Sequence, residues 1–587
     1  MRAAFVGAVA AALITIPGLG SGTLWDNSET AYAEVAREIL LTHDWLVMHF
    51  NLVPYFVQPP LYFWLGAIFA SLWGATSFAF RFPSALATIV LGGIVGYAVA
   101  RQAGTRVGIY ASIILSSSLM QAVIGRLAIM DALLDLAVAL TIFWWFRGLQ
   151  TGRDRNFIYG AVAAAAGFLA KGLVAPVIAL LVIVPFFLWN LRYESTHAPS
   201  ARAWILGLLS FAAVALPWPA AVYSRYDGFF LHQLIGVYTV SRYTGVIENQ
   251  SGPLWYYLPV IILGFFPWIA FLPMAVVYGI TCLRSGIRDR ANGSLFRLAF
   301  VWSVAPLLFF SFAGTKLPNY LALEFPALAL LTALYFDSVV RRGGTRSAVV
   351  CASFVPVTIG LLAIAAAAFM RDNRFSGAVS DVIPGLIGLA EAIFAGSLLT
   401  AVMMARPAMV GAAPYALAFA TLVAADVVTI VVLPRTDALK PIPHLAAIIN
   451  RERQPYDTVA IQNTSGGNAL LFYTRPSIDV LAPPAGGDPS TDGIDPRVAI
   501  CGSQRAWLVA PARRPPFDPT YGRHRHLIAV DEKAALYLYV GPPCARGLRG
   551  ETVSERMTVA GTINVSVHQR QNDGSPSIVT KGSQSRK

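Results

Sequence analysis

Charge is scarce in this chain. Only 13% of its 587 residues are Asp, Glu, Lys or Arg, against 56% apolar ones. Soluble domains carry roughly a quarter of their residues charged, so this composition excludes a water-soluble globular protein. Cysteine is scarce too, with four in all, and no cluster has the spacing of zinc ligands. The chain lacks a GxxxxGK[ST] loop and lacks a GxGxxG run after a strand, which removes the common nucleotide-binding folds. Strict apolar–polar alternation is missing as well. The apolar residues come instead in runs of about 18–25, the bilayer-crossing length, which excludes a β-barrel. What remains is an α-helical polytopic membrane protein, with the lipid bilayer as its first partner; mean hydropathy is +0.60.

The net charge of +13 would point a soluble protein toward nucleic acid. Here most of the arginines stand in short loops between apolar runs, so they report topology, and no nucleic-acid partner is expected. The N-terminus has one Arg, an apolar run from Phe5 to Ile16 and no small-x-small cleavage site, and reads as a retained first span. Thirteen spans are expected, near 3–20, 82–100, 107–124, 128–146, 157–171, 173–190, 203–222, 254–281, 296–313, 318–337, 348–370, 383–404 and 410–433. A further run, Leu61 to Gly74, is short and follows Pro59-Pro60. If it dips into the membrane without crossing, Arg101/Arg106, Arg147/Arg153/Arg155, Arg192/Arg202, Arg284/Arg288/Arg290/Arg297, Arg341/Arg342/Arg346 and Arg406 all fall on the cytoplasmic side with the N-terminus. The expected domains are then a membrane domain, 1–433, with external loops 21–81 and 223–253, an external α/β domain, 434–565, and a disordered tail, 566–587. In the α/β domain, 444–453 reads as a helix, and 458–462, 469–473, 505–510, 526–530 and 536–540 read as strands. Cys501 and Cys544, both in that domain, are a disulfide candidate.

The most informative stretch runs from Trp25 to Leu40. Tyr32, Val35, Ala36, Ile39 and Leu40 share one helical face, and Asp26-x-x-Glu29 has capping-box spacing. Such a helix is expected to lie on the membrane surface and present carboxylates at the water–lipid boundary. The topology gathers other polar residues at the same edge: Arg126 and Asp131, Lys171, His232 and Arg242, and Lys316. A carboxylate among several cations suits a phosphate-bearing head group. The carboxylate would act as general base on an acceptor hydroxyl, and the cations would stabilise the departing phosphate. Each residue alone has a plainer reading. Lys171 could snorkel, Arg126 and Arg242 could anchor at the interface, Asp131 could end a helix, and His232 carries no metal signal by itself. The joint pattern is what points to a site.

The run Leu24-Trp25-x-x-x-Glu29-Thr30-x-Tyr32-Ala33-Glu34-x-Ala36-Arg37-Glu38 resembles the first external loop of bacterial protein O-mannosyltransferase-like enzymes, a group that includes the aminoarabinose transferase of lipid A. Matches follow in order at Asp44-Trp45, Tyr55-Phe56-x-x-Pro59-Pro60-Leu61-x-x-Trp64, Arg81-Phe82-Pro83-Ser84, Arg126-Leu127-x-x-x-Asp131, Lys171-Gly172, Gly264-Phe265-Phe266-Pro267-Trp268 and Phe309-Phe310-Ser311-x-x-x-x-Lys316-Leu317-Pro318-x-Tyr320. The resemblance implies a GT-C fold in the bacterial inner membrane. It also implies transfer of a sugar from a polyprenyl-phosphate donor to a periplasm-facing acceptor, which could be a lipid A-like lipid, a glycan or a protein. By this resemblance Glu29 is the first choice for the catalytic carboxylate, then Asp131, then Asp26. Lys171, Arg242, Lys316 and Tyr32 are expected at the donor phosphate, with Arg126, His232 and Gln58 in the substrate cavity.

The chain departs from the family pattern at four charged positions. The usual Asp-Glu pair is Ser28-Glu29, the usual Arg two positions after the Glu is Ala31, and the usual Glu-Lys before Pro-Pro is Val57-Gln58. In the family that Glu is a proposed metal ligand and that Lys a proposed phosphate contact, so a divalent cofactor is left open with Val57 at its ligand position. The expected function is a membrane glycosyltransferase acting as a monomer. The alternatives are a transporter or flippase of lipid-linked sugars, which should carry its charges near the midplane, and a catalytically altered family member that binds lipid.

Overall fold

The computed structural model describes residues 1–25, 28–194, 196–246, 250–284, 290–372, 378–437, 440–461, 467–474, 480–481, 500–501, 503–512, 524–531 and 534–542. The chain divides into two compact units, 1–439 and 440–587.

In the first unit, α1 (Arg2–Thr15) packs along the later helix Ser77–Ala103 through glycine. A Cβ on Gly7 would lie 2.3 Å from the Gly92 carbonyl oxygen, so only hydrogen fits and the two backbones touch. Small residues at the crossing are how helices approach where lipid supplies no hydrophobic drive. Between these two helices the first loop forms α2 (Glu29–Thr42), a hairpin of β1 (His49–Phe50) and β2 (Val53–Pro54), and α3 (Leu61–Trp73). α3 starts directly after Pro59-Pro60 and is about 20 Å long, short of the roughly 30 Å hydrocarbon core. α2 buries Val35, Ala36 and Ile39 as its periodicity requires, but it also buries Glu29, Glu34, Arg37 and Glu38. The expectation that its carboxylates face water is therefore corrected: the helix is packed against α3 and the hairpin inside the protein. Ser28 stands at its N-cap without a side-chain bond, and the Glu29 carboxylate reaches back to the Trp25 N–H at 2.9 Å.

The chain continues through α4 (Ser77–Ala103), α5 (Thr105–Ser116), α6 (Leu119–Ile124), α7 (Asp131–Thr151), α8 (Asp154–Lys171), α9 (Val174–Asn190) and α10 (Ala201–Ala215). Next come α11 (Pro217–Leu231), π-helical turns over His232–Ser241, α12 (Arg242–Thr244), α13 (Tyr257–Gly264), α14 (Leu272–Arg284) and α15 (Arg290–Ser311). A 3₁₀ turn, Pro318–Glu324, leads into α16 (Phe325–Arg341), α17 (Arg346–Asp372), α18 (Ala378–Met404), α19 (Ala413–Val427) and α20 (Leu433–Thr436). Among the described residues six helices are long and apolar enough to cross a membrane, or seven if one bent pair is a single span, and seven further apolar helices have 10–17 residues.

Two of the expected continuous spans are broken, and a third, 203–222, bends by 52° between Ala215 and Pro217. The span at 107–124 stops at Ser116 and restarts at Leu119; the one at 254–281 is interrupted between Gly264 and Leu272. The two breaks satisfy each other. Leu119 N–H donates to the Phe266 carbonyl at 3.1 Å, and Trp268 Nε1 donates to Ser117 Oγ at 3.0 Å. Hydropathy is blind to such breaks. Pro267 has no N–H to continue a helix, and the freed polar groups must find partners within the protein where no water is available.

The second unit opens with α21 (Pro441–Glu452), whose Ile442, Leu445, Ala446 and Ile449 form one buried stripe. Its sheet has the order β4 (Val480–Leu481), β3 (Thr458–Ile461), β5 (Arg505–Pro511), β7 (Ala534–Val540), β6 (His524–Asp531). β3 runs parallel to β4 and β5, and β7 antiparallel to β5 and β6. The run Ala469–Tyr473, expected as a strand, lies in α22 (Gly467–Tyr473). A short continuous apolar run fits either state by periodicity, and packing decided for helix. Cys501 is buried and disulfide-bonded. Cys544 and the tail 566–587 lie outside the described residues.

Candidate functional site

α7 and α8 form an antiparallel hairpin of 21 and 18 residues, turned at Gly152. Their near-equal lengths bring the first residue of α7, Asp131, level with the last of α8, Lys171. Gly172, at φ +70, ends α8 there. Lys171 Nζ lies 2.6 Å from Asp131 Oδ1. Asn319, in the 3₁₀ turn that starts at Pro318, donates to the same oxygen at 2.8 Å, and the Tyr320 ring lies 5.4 Å from Lys171 Nζ. Asp131 is almost wholly buried, and its Oδ2 accepts no bond among the described residues.

The pair borders a cavity of about 340 Å³. Gln58, Arg242, Tyr238 and Thr315 share its polar end, and Leu134, Val174, Val177, Phe309 and Phe310 form an apolar wall. Arg242 Nη2 donates to Gln250 Oε1 at 3.2 Å, and the Arg242 and Tyr243 carbonyls accept from the Thr315 and Gly314 N–H groups at 3.3 and 2.7 Å. These bonds clamp Arg242 and Tyr243 against the residues that follow α15. Two cations, a carboxylate and a set of apolar side chains bordering one cavity match a phosphate attached to a hydrocarbon chain.

Asp131, Lys171, Arg242 and Gln58 all line this cavity; the other anticipated residues that are described do not. Glu29 is fully buried. Arg81 grips it from two sides, Nε to Oε1 at 2.8 Å and Nη2 to Oε2 at 2.9 Å, while the Ala128 and Trp25 N–H groups bond the same two oxygens at 2.7 and 2.9 Å. Four donors fill the carboxylate's acceptor sites, so Glu29 has no lone pair for a substrate proton and does not line the cavity. Asp26 lies outside the described residues. Lys316 does not line the cavity, although Ala313 and Thr315 do; its Nζ donates to the Ala313 carbonyl at 2.5 Å. Arg126 serves the frame instead: Nε donates to the Ile14 carbonyl at the end of α1 at 2.6 Å and Nη2 pairs with Asp426 of α19 at 3.3 Å. Tyr32 packs edge-on against Tyr62 and Phe63, and His232 sits against Gly236 in the π-helical turns, so neither reaches the cavity.

Beside Glu29, the other acids of α2 make a buried cluster. Arg37 Nη2 donates to Glu34 Oε1 at 2.6 Å, and Leu52 N–H donates to Glu38 Oε2 at 2.9 Å. Burial pushes Glu34 up to about 8, beyond what Arg37 lowers it, and burial also raises Glu38. A proton on Glu34 lets the two carboxyl groups share a hydrogen bond instead of repelling each other.

The divalent metal that the family pattern left open does not fit these residues. Val57 gives the cavity no ligand atom and Gln58 only a neutral amide, and among the described residues no group of three or more His, Cys, Asp or Glu could hold an ion. The site also includes residues that sequence reasoning did not single out. Asn319 fills one side of Asp131, and the only signal for it was its place beside Tyr320 after a helix-starting Leu-Pro. Tyr238 and Thr315 carried no signal of their own.

Residues 57–218 match the family described as dolichyl-phosphate-mannose-protein mannosyltransferase. The chain is 32% identical over 380 residues to the undecaprenyl phosphate-alpha-4-amino-4-deoxy-L-arabinose arabinosyl transferase of Aeromonas salmonicida (strain A449), covering 64% of this chain and 67% of that protein. Transferase 2 of the same description from Proteus mirabilis (strain HI4320) is 31% identical over 375 residues, 62% of this chain and 65% of that one. The crystal structure of ArnT from Cupriavidus metallidurans bound to undecaprenyl phosphate is similar in fold, with a TM-score of 0.72 at 20% identity over 93% of this chain and 99% of that one. The likeness extends over nearly the whole of both chains, the fold is GT-C, and the chain belongs to the undecaprenyl phosphate-aminoarabinose arabinosyl transferase family.

Proposed function

We propose that this chain moves 4-amino-4-deoxy-L-arabinose from undecaprenyl phosphate to a lipid A-like acceptor on the periplasmic face of the inner membrane. Lys171 and Arg242 hold the donor phosphate, the apolar wall at Val174, Val177 and Phe309 receives the first part of the prenyl chain, and Asp131 faces the sugar. The bond from sugar C1 to the phosphate oxygen breaks as a bond from C1 to the acceptor oxygen forms. Undecaprenyl phosphate departs with the electron pair, its charge stabilised by the two cations. Asp131 Oδ2 takes the acceptor's proton, where the acceptor carries one, while Lys171 and Asn319 fix Oδ1. The observation that carries this reading is the Lys171–Asp131 contact of 2.6 Å bordering the same cavity as Arg242.

In this reading the membrane domain spans 1–433, with its N-terminus and arginine loops cytoplasmic. α8 and the shorter apolar helices complete thirteen crossings, with Leu254–Gly264 and Leu272–Arg284 sharing one and Leu61–Trp73 not crossing. Residues 434–565 form a periplasmic domain, and the chain acts as a monomer. The positive-inside distribution of arginine supports that orientation. The test uses the purified full chain, labelled undecaprenyl-phosphate aminoarabinose and lipid A. Lys171→Ala and Arg242→Ala should each weaken donor binding about tenfold or more, the scale of a charge-assisted contact to phosphate. Unchanged donor binding in both would remove the cavity from the reaction.

A further inference from the structure

α15 and α16 each connect the catalytic cavity to a second cavity at their other ends. Phe309 and Phe310 of α15 border the first, Phe296 the second; α16 starts two residues after Leu323 of the first and ends at Ser338 and Val339 of the second. At 1.5 Å per residue, α16 puts the two about 25 Å apart. The second cavity has a volume of about 300 Å³. Met274, Val277, Phe296 and Val339 give it apolar lining and Tyr278, Arg342, Thr345 and Ser347 polar lining, with no carboxylate among the described residues that line it.

The arginine in that lining differs from its neighbour. Arg341 is held by Asp337 at 2.7 Å, and Asp337 is shared with Arg106 at 2.6 Å. Arg342 forms no ion pair among the described residues; its guanidinium carbon lies 5.9 Å from the Tyr278 ring centroid, at the cavity. Ser347 Oγ is 3.2 Å from Thr345 Oγ1 and 3.4 Å from Tyr335 OH, hydroxyls that can rotate to donate to an anion. A forked cation and hydroxyl donors beside apolar side chains, with no acid among the described lining residues, complement a phosphate carried at the head of an acyl chain. We propose that this cavity is a phosphate-binding site separate from the catalytic one, taking the headgroup of an anionic phospholipid or, by the same chemistry, a free phosphate.

Cys282 lines the cavity and Cys351 does not; both are thiols outside any disulfide. The full chain is reconstituted in phosphatidylcholine nanodiscs, in nanodiscs containing phosphatidylglycerol, and in phosphatidylcholine with added inorganic phosphate, and maleimide labelling of the two thiols is timed. Phosphatidylglycerol should slow Cys282 labelling about tenfold, the worth of one charge-assisted contact, and leave Cys351 unchanged. Protection in the inorganic phosphate arm assigns the site to the free anion, and protection in the phosphatidylglycerol arm alone to the lipid. Arg342→Ala should abolish protection, as should Ser347→Asp, which sets a like charge against the phosphate at an exposed position. Arg153→Ala, in another arginine loop, should keep it. Absence of protection in both arms, or protection that survives Arg342→Ala, overturns the proposal.

Discussion

Arg81 and Glu29, 52 residues apart in the chain, are joined by two parallel hydrogen bonds of 2.8 and 2.9 Å inside the protein. The guanidinium also donates to the Ser21 carbonyl at 2.8 Å and to those of Leu19 and Thr23 at 3.2 Å, so one arginine ties the end of the first helix, the start of α2 and α4 together. A buried pair of this kind specifies an arrangement, and breaking it leaves a charge uncompensated. Glu29→Gln should therefore destabilise the chain by roughly 3–5 kcal/mol, measured as a fall in the thermal unfolding midpoint in detergent. The fraction that stays folded should retain transfer activity.

The acid cluster of α2 gives a pH dependence of definite sign. Burial holds the proton on Glu34 up to about 8 in the folded chain, while the ordinary value of 4.5 applies once unfolded. Between these values the folded state binds more protons than the unfolded one, so stability falls as pH rises from 4.5 toward 8 and levels off above. Glu34→Gln should flatten that slope. Unfolding midpoints taken across the window in both proteins check it, and a wild-type midpoint that rises with pH there contradicts the assignment.

Gln58 stands in the catalytic cavity where the family pattern carries a lysine. Gln58→Lys adds a third cation beside Lys171 and Arg242. It should tighten undecaprenyl phosphate binding several-fold, on the order of one further charge-assisted contact, with a steeper salt dependence. Isothermal titration at two ionic strengths reads both effects. In the Lys171→Ala background the same substitution should recover part of the lost affinity.

The pattern of the chain made some of this legible and hid the rest for identifiable reasons. Asp131 and Lys171 could be placed at the same membrane edge from sequence because the arginine loops fix which end of each span faces out. Glu29 read as a catalytic acid because its partner, Arg81, belongs to a distant helix end. Arg126 was misplaced for the same reason: its partner Asp426 is 300 residues away, and such pairings leave no local signal. The breaks at Ser117 and Pro267 are marked in the sequence only by the serines at 116–118 and by one proline, residues that unbroken spans also carry, so backbone hydrogen bonding is what reveals them. In the second unit, Ala469–Tyr473 is apolar at every position except its final hydroxyl, and neither a period of 2 nor one of 3.6 can be read from it.

The central claim is that Asp131, held by Lys171 and Asn319, is the carboxylate of the transfer reaction. The most direct measurement is single-turnover transfer by Asp131→Asn, with undecaprenyl phosphate binding measured on the same preparation. The substitution keeps the shape and removes the charge and the basicity. Transfer should fall by about 10²–10⁴-fold, the range of a lost general base, with donor binding within a few-fold of the parent and Glu29→Gln active beside it. Full turnover by Asp131→Asn, with Glu29→Gln folded and inactive, would contradict the account.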